Sequence, residues 1–231
     1  MEWIGRSHCD KCYVRRLVLF SKLPDSAFEQ LLQPIDHFLH LSGSVIYQAD
    51  TQKKFVYSIR HGMVKLVHVS KDGTNRIVRL LGPGSAIGLE LLDVADVYHH
   101  TAVAVTKVDL CRIPVPTIMQ LKSNHPILCE QIAEQLQEQL DLADQWIVTL
   151  GGGTARQRVA HLLLILDEFF ANEDGSFILL NREDMAAMTG VVVETVSRVI
   201  AEFKRQKILY KTKDKLYMCN VAALQKFTQQ H

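Results

Sequence analysis

The hydrophobic pattern of this 231-residue chain switches from strand-like to helical near Pro126, and no other feature constrains the fold as much. From Asp36 to about Pro114, short runs rich in β-branched and aromatic residues alternate with Gly and Asp turns. Beyond Pro126, apolar residues recur every three or four positions, as they do on one face of a helix. The sequence therefore predicts an α+β chain in which an antiparallel β domain comes first and helices follow.

The β-rich part predicts a small barrel or roll of antiparallel strands. Asp72-Gly73 lies between two of its runs and is a strong hairpin signal. Ahead of the roll, residues 25–32 predict a short helix that Asp25 or Ser26 can cap. The β-rich runs read SVIYQ, FVYSIR, VKLVHV, RIVRLL and AVAVTKVDLCRI.

A long helix is predicted directly after Pro126. Its apolar residues are spaced four, four, three, four and three apart, which is a coiled-coil-like seam. A seam of this kind needs a partner helix to cover it, so we expect a homodimer; the alternative is a helix packed on its own domain. The glycines at 151–153 are expected to end the helix and act as a hinge. The seam residues are Ile132, Leu136, Leu140, Ala143, Ile147 and Leu150.

The end of the chain predicts a helix, then two helices joined by a tight turn, then a hairpin. Asn181, with Asp184 three residues later, marks a helix start. Thr189-Gly190 marks the turn, and residues 193–206 predict the second helix of the pair. The run KILYKTKDKLYMCNV then predicts a hairpin. This order describes a winged helix-turn-helix, a DNA-binding arrangement.

The charge changes sign within that last part of the chain. Residues 151–193 carry three basic and six acidic side chains, a balance of −3. Residues 194–231 carry eight basic and three acidic side chains, a balance of +5. The locally basic end is a candidate phosphate-facing surface.

The second helix of the pair carries candidate DNA-binding residues. Glu194, Ser197 and Arg198 fall at i, i+3 and i+4, so they share one face. A glutamate can accept a hydrogen bond from a cytosine amino group, and an arginine can donate two to guanine. Thr189 and Thr195 are candidates for phosphate contacts, which position the protein without reading sequence. The alternative is an exposed Glu–Arg pair that only stabilises its helix.

These features resemble the CRP/FNR family of bacterial transcription regulators along nearly the whole chain. The resemblance is carried by RHGMVK at 60–65, the glycine-punctuated roll and GVVVETVSR at 190–198. The Glu-x-x-Ser-Arg pattern resembles the FNR branch rather than the CRP branch. The resemblance implies that Glu194, Ser197 and Arg198 read a TTGAT-like half-site twice in a palindrome. It also implies double-stranded DNA and RNA polymerase as partners.

The resemblance implies four segments. They are a cysteine-containing N-terminal segment at 1–20, a cyclic-nucleotide-binding-like β-roll at 21–126, a dimerisation helix and hinge at 127–153, and a winged helix-turn-helix at 154–231. The chain has no nucleophile–base pattern, so we expect no enzyme. A non-DNA-binding regulatory subunit that uses the roll as a ligand module stays open. No apolar run reaches membrane length, and the start has no signal-peptide core, which predicts a cytoplasmic protein.

The resemblance also bears on what the roll binds. Members that bind cyclic AMP carry Gly-Glu and, further on, Arg-Ser or Arg-Thr to hold the cyclic phosphate. Here the two places read Gly-Leu-Glu at 88–90 and His-His-Thr at 99–101, with no arginine between Arg79 and Arg112. A buried phosphate would lack its charge-assisted hydrogen bonds. We therefore expect no cyclic AMP.

Two of the five cysteines lie in the opening run HCDKC. FNR-branch oxygen sensors bind an iron–sulfur cluster through Cys-x2-Cys-x5-Cys near the N-terminus and one roll cysteine before Ile-Pro. By that resemblance Cys9, Cys12 and Cys111 would bind a 4Fe-4S cluster. The third N-terminal position falls on Val18, which cannot ligate.

The missing ligand leaves several uses of these thiols open. His8, Asp10 or a small external ligand could supply the fourth bond. A thiol–disulfide switch, a zinc clip and a vestige without a sensing role are alternatives. A regulator that senses a small molecule or nitric oxide through the roll is another. Cys129 and Cys219 fit no ligand position and are expected to be packed as small apolar residues.

Overall fold

The computed structural model describes residues 1–7, 9, 12, 19–70, 73–89 and 97–229. Five residues singled out above, His8, Asp10, Val18, Asp72 and Glu90, lie outside the described residues. The chain divides into two compact units, the first of residues 1–71 and 78–141, and the second of residues 72–77 and 142–231. Within the described part, no helix combines the length and apolarity needed to cross a membrane.

The first unit contains the predicted roll, built from two antiparallel sheets. One sheet has the strand order β1-β2-β9-β4-β7, and the other has the order β3-β8-β5-β6. Apolar side chains of both sheets, among them Ile59, Leu66 and Leu110, form one buried cluster. The strands are β1 (Glu2–Arg6), β2 (Asp36–His40), β3 (Val45–Tyr47), β4 (Phe55–His61), β5 (Val64–Val69), β6 (Asn75–Leu81), β7 (Ala86–Ile87), β8 (Thr101–Ala104) and β9 (Val108–Pro114).

The last β-rich run forms two strands rather than one. A turn around Thr106 separates β8 from β9, and its geometry is fixed by Met63. The Met63 backbone amide donates to Thr106 Oγ1 at 2.9 Å, and the Val105 amide donates to the Met63 carbonyl at 2.8 Å. The strand β1 was not expected at all, because its sequence EWIGR is short and contains a glycine.

The helix predicted over residues 25–32 is a single 3₁₀ turn, Asp25–Phe28. The predicted cap is also wrong, since Pro24 occupies the N-cap position and no side chain caps the turn.

Two helices follow the roll, α1 (Val115–Asn124) and α2 (Ile127–Gly151). The second is the predicted long helix, and it ends at the first of the three glycines. Ile132 is buried in a core cluster of the roll and Leu136 packs against that cluster, whereas Leu140 and Ile147 are 49% and 70% exposed. The prediction that the whole seam needs a partner is therefore wrong for its first two residues, and also for the buried Leu150.

The second unit is a winged helix-turn-helix, as predicted. The Asn181 side chain accepts a hydrogen bond from the Asp184 amide at 2.7 Å, and Gly190 ends α4 in a left-handed conformation with φ 65°. The strand β10 and the helix α6 were not predicted. The elements are α3 (Ala155–Phe170), β10 (Phe177–Ile178), α4 (Arg182–Thr189), α5 (Val193–Arg205), β11 (Leu209–Lys211), β12 (Leu216–Cys219) and α6 (Val221–Thr228), with strand order β10-β12-β11.

Candidate nucleic-acid interface and cysteine cavity

The helix α5 has one buried face and one polar face. Its buried side chains are Val196, Val199, Ile200 and Phe203, spaced three, one and three apart. They pack the helix against α3 and α4. Because apolar residues at this spacing cover one side of a helix, the remaining residues must face outward.

Four of the five predicted DNA-binding residues lie on that outward side. Glu194 and Arg198 are exposed, and Thr195 and Ser197 are partly exposed. Arg198 Nη2 donates a hydrogen bond to Thr195 Oγ1 at 3.0 Å, which holds the guanidinium along the helix. Thr195, Arg198 and Arg205 line a crevice of about 490 Å³. The arrangement presents one carboxylate, one guanidinium and two hydroxyls on a single face.

Thr189 does not join the other four. Its side chain is 1% exposed, and its hydroxyl donates to the Met185 carbonyl at 2.7 Å within α4. Its backbone carbonyl accepts a hydrogen bond from Arg158 Nη1 at 3.3 Å. A threonine near a helix end can bond back to the carbonyl four residues earlier, and that local bond is not visible in a motif.

Exposed cations run from the end of α5 into the hairpin of β11 and β12. Lys204 donates to the Tyr217 hydroxyl at 3.1 Å, and its ammonium lies 4.6 Å from the centre of that ring. Phosphate oxygens favour such a cluster of positive side chains beside a recognition helix. The exposed cations are Lys204, Arg205, Lys207, Lys211, Lys213 and Lys215.

The three cysteines predicted as ligands meet in one place in the first unit. Cys9, Cys12 and Cys111 line a cavity of about 240 Å³ together with His37 and Arg60. A smaller recess of about 20 Å³ shares the three cysteines and Arg60, and Ser58 also lines it. All five cysteines of the chain are described, and none is in a disulfide.

Strand register explains why residues far apart in sequence converge there. In the first sheet Gly5, His37, Cys111, Ser58 and Ala86 are successive cross-strand partners on β1, β2, β9, β4 and β7. The pairing of β1 with β2 therefore brings the N-terminal segment beside β9. The sequence contains little signal for β1, so this convergence could not be predicted from strand patterns.

Cys111 is held rigidly at the centre of the sheet. Its side chain is 9% exposed, and its Sγ lies 3.2 Å from Ser7 Oγ, within hydrogen-bonding distance. Burial raises the pKa of the Cys111 thiol, although the Ser7 hydrogen bond and the charge of Arg60 oppose that effect. A thiol whose pKa is raised loses its proton at neutral pH only when a strong partner such as a metal ion binds the sulfur.

Arg60 places a positive charge at the cavity. Its side chain is 14% exposed, and Nη1 lies 3.1 Å from ring nitrogens of His37 and 3.9 Å from Asp109 Oδ1. His37 also contacts Asp109 directly. Sequence reasoning missed Arg60 as a site residue, because only the fold brings it to the cysteines. A partly buried guanidinium stabilises negative charge on neighbouring thiolates.

The cavity supplies three of the four thiolates that an iron–sulfur cluster needs. Three thiols line one cavity, and a guanidinium offsets the negative charge that three thiolates would carry. Across the described ranges, no group of three His, Cys, Asp or Glu side chains is arranged to hold a metal ion.

Two family models match the chain. Residues 40–125 match the cyclic nucleotide-binding domain, and residues 157–227 match the Crp-like helix-turn-helix domain. The chain belongs to the CRP/FNR family of bacterial transcription regulators. Members of the CRP/FNR family are regulators and not enzymes.

Two relatives are similar to this chain over most of its length, and one solved structure shares its fold. The transcriptional regulatory protein btr of Bordetella pertussis is 25% identical over 208 residues, 88% of this chain and 86% of its own. The fumarate and nitrate reduction regulatory protein of Vibrio cholerae is 25% identical over 207 residues, 87% of this chain and 82% of its own. The structure of FixK2 from Bradyrhizobium japonicum shares the fold, with TM-score 0.74, 23% identity, and coverage of 85% of this chain and 98% of that chain.

The interior of the roll in this CRP/FNR regulator is packed with aromatic rings. The Tyr47 ring stacks on the Tyr98 ring, with centroids 3.9 Å apart, and on the Tyr57 ring at 5.6 Å. The Tyr98 hydroxyl donates to the Phe55 carbonyl at 2.7 Å. Thr101, at the position where cyclic-AMP-binding members carry Ser or Thr, accepts a hydrogen bond from a backbone amide at 3.1 Å. The roll fold therefore matches the family, and stacked tyrosine rings form part of its buried core.

The remaining two cysteines differ from each other. Cys129 is exposed on α2, so the expectation that it is packed is wrong. Cys219 is partly buried on β12, and its Sγ donates to Asp167 Oδ1 at 3.4 Å. Burial, together with the charge of Asp167, raises the pKa of the Cys219 thiol to about 12. Neither lines the cysteine cavity.

Proposed function

We propose that this CRP/FNR regulator binds a TTGAT-like palindrome as a homodimer and responds to oxygen or redox state through Cys9, Cys12 and Cys111. The sensing proposal depends on one observation above all, the meeting of these three thiols in one cavity. We further propose that it acts in the cytoplasm, with RNA polymerase as its partner.

The exposed face of α5 supports the DNA proposal. Arg198 donates to guanine in each half-site, Glu194 accepts from a cytosine amino group, and Ser197 completes the reading face. Thr195, bonded to Arg198, restricts the guanidinium before binding, which reduces the entropy lost on the DNA. The cations of the hairpin contact phosphates and contribute affinity that does not depend on sequence.

The exposed side of α2 supports the dimer proposal. Leu140, Ile147 and Val148 are 49%, 70% and 77% exposed. Leu140 and Ile147 are two helical turns apart and so share a face. A second copy of α2 would bury these side chains. Because each subunit holds one half-site, dimer stability sets the affinity for the palindrome.

A row of contacts links the cavity to α2. Ala86, two strands from Cys111 in the same cross-strand row, lies on the edge strand β7. Its amide donates to Gln135 Oε1 at 3.0 Å, and its carbonyl accepts from Gln139 Nε2 at 2.9 Å. A displacement at Cys111 would thus reach two side chains of α2. We propose this row as the route by which the sensor changes the dimer helix.

A bound iron–sulfur cluster would supply sensitivity to oxygen, because oxidation destroys it. The residues of the chain would bind the cluster, balance its charge and limit its hydration. The three cysteines bind, and Arg60 balances the negative charge. Phe20 and Ile113 line the smaller recess with apolar surface and limit its hydration. The lack of an arginine between Arg79 and Arg112 argues against cyclic AMP as the signal.

Fluorescence anisotropy tests the DNA proposal. The full chain, purified without oxygen, should bind a labelled TTGAT palindrome about 10³-fold or more tighter than a scrambled duplex of equal composition. A single half-site is the matched control for the dimer and should bind much more weakly. Equal affinity for palindrome and scrambled DNA would contradict sequence reading and favour a non-DNA-binding regulatory subunit.

A further inference from the structure

The polar groups that line the cysteine cavity differ in whether they have hydrogen-bond partners. Ring nitrogens of His37 contact Arg60 and Asp109. The Ser7 hydroxyl lies 3.2 Å from the sulfur of Cys111. The hydroxyl of Ser58 is different, because it is buried and has no hydrogen-bond partner among the described residues.

Ser58 occupies a fixed position beside the cysteines. It lies on β4, directly opposite Cys111 on β9, and its side chain is 3% exposed. Directly opposed residues of antiparallel strands have Cβ atoms about 4.5–5.5 Å apart and point to the same face. Val56 and its partner Ile113 lie two residues away on that face, in the same buried cluster as Cys111. The Ser58 side chain lines the smaller recess together with the three cysteines.

A buried hydroxyl without a partner is costly and rare in folded proteins. Such a group needs a partner, which is either a buried water or a bound ligand. The three thiols, which line the same recess, indicate the nature of that ligand, because a cluster held by three cysteines has one iron without a protein sulfur.

We infer that Ser58 takes the place of the missing fourth cysteine and binds one iron through Oγ. The inference depends on the cluster of the proposed function. The oxygen–hydrogen bond of Ser58 is replaced by an oxygen–iron bond, the proton leaves to solvent through the wider cavity, and no electron is transferred. Cys9, Cys12 and Cys111 bind the other three irons.

The mixed ligand set makes the four irons unequal. An alkoxide oxygen is a harder ligand than a thiolate, and iron–sulfur clusters are matched to soft sulfur donors. The iron on Ser58 is therefore the one that leaves first when the cluster is exposed to air. A cluster with this ligand set would therefore lose iron readily in air, as a sensor of oxygen requires.

Reconstitution of the full chain with iron and sulfide under nitrogen tests the inference. We would compare wild type with Ser58→Ala, Ser58→Cys and the control Ser42→Ala, whose hydroxyl bonds to the Val105 carbonyl away from the cavity. The readouts are iron and acid-labile sulfide per chain, with Mössbauer and electron paramagnetic resonance spectra. Circular dichroism and the melting temperature show whether each variant folds.

We expect Ser58→Ala to lose roughly one iron in four and to show a three-iron signal. Ser58→Cys should keep all its iron, lose the spectroscopically distinct site and release iron in air more slowly than wild type. Ser42→Ala should match wild type. Because cysteine is close to serine in size, Ser58→Cys keeps the test valid even if Ser58→Ala folds poorly.

The outcomes separate the two proposals. If wild type and Ser58→Ala bind equal iron with identical spectra, another group such as His8 supplies the fourth bond and the inference is wrong, while the cluster stands. If wild type itself takes up no iron or sulfide, the cluster is wrong and the role of Ser58 is wrong with it.

Discussion

Two glutamines on α2 cover the open edge of the first sheet, and removing one should weaken the roll by a predictable amount. Among the strands of the described residues, β7 is the last in its sheet and pairs on one side only. Gln135 accepts from the Ala86 amide at 3.0 Å and donates to the Gly84 carbonyl at 2.8 Å. Gln139 donates to the Ala86 carbonyl at 2.9 Å. The side-chain amides of Gln135 and Gln139 thus make hydrogen bonds to this edge that a neighbouring strand would otherwise make.

The substitution Gln135→Met should lower the free energy of unfolding, because it removes the partner of a buried amide. That amide belongs to Ala86, which is 0% exposed. Methionine keeps the length and helix propensity of glutamine but offers no partner to the Ala86 amide. A buried backbone amide without a partner costs about 1–3 kcal/mol. We expect the free energy of unfolding to fall by that amount, and amide exchange at Ala86 to speed up by roughly 5- to 150-fold.

The assay is urea unfolding combined with hydrogen exchange measured by mass spectrometry. Gln137→Met is the matched control, because Gln137 is exposed on the same helix and bonds to Asp141 one turn away at 2.6 Å. The control should change stability by no more than about 0.5 kcal/mol and leave the exchange of Ala86 unchanged.

The same variant tests the route from the cavity to α2. If the row of contacts carries the signal, Gln135→Met should reduce the change in DNA affinity that follows exposure to air, while leaving the cysteines intact. Identical behaviour of Gln135→Met and Gln137→Met in stability, exchange and DNA response would refute both the edge contact and the route.

Three further predictions concern other parts of the chain. Arg198→Ala should weaken binding to the TTGAT palindrome by about 1–3 kcal/mol and barely change binding to random DNA, measured by anisotropy; equal loss on both would rule out base reading. Burial lowers the pKa of His40 from 6.5 to about 4, so the unfolded chain gains a proton first as the pH falls. Stability should therefore drop by up to about 3 kcal/mol between pH 6.5 and 4, and His40→Gln should flatten that dependence in urea titrations at each pH. Leu140→Asp combined with Ile147→Asp should yield folded monomers in sedimentation, with a melting temperature that no longer depends on protein concentration, since both side chains are exposed in one chain; a persistent dimer would contradict the interface.

The sequence predicted those parts of the fold that depend on local patterns. The buried face of α5 and the Asn181 cap follow from helical spacing and from residues three apart. The hairpin of β11 and β12 follows from its turn residues, with Asp214 at φ 35° near the tip. Each of these is fixed by neighbours within a few positions along the chain, which is why periodicity was enough.

The cavity depends on long-range pairing, and there the sequence was less informative. A motif could select Cys9, Cys12 and Cys111, but only the register of β1 on β2 brings them together. Ser58 carries no motif, and its significance depends on having no partner once buried.

Contacts that a sequence pattern does not show explain two further differences. The sequence did not indicate that Gln135 and Gln139 of α2 bond to β7. Thr189 was assigned to DNA, although its hydroxyl bonds within α4. A sequence pattern shows which residues are polar but not which group each of them meets in the folded chain.

The affinity for the TTGAT palindrome, measured on one sample before and after exposure to air, tests directly whether the cysteine cavity controls DNA binding. We expect wild type purified under nitrogen to bind tightly and to lose about tenfold or more of its affinity in air. Cys111→Ser should bind weakly in both conditions, because one of the three cavity thiols is missing. If wild type binds equally well before and after air, and Cys111→Ser binds as tightly as wild type, the cysteine cavity does not control DNA binding.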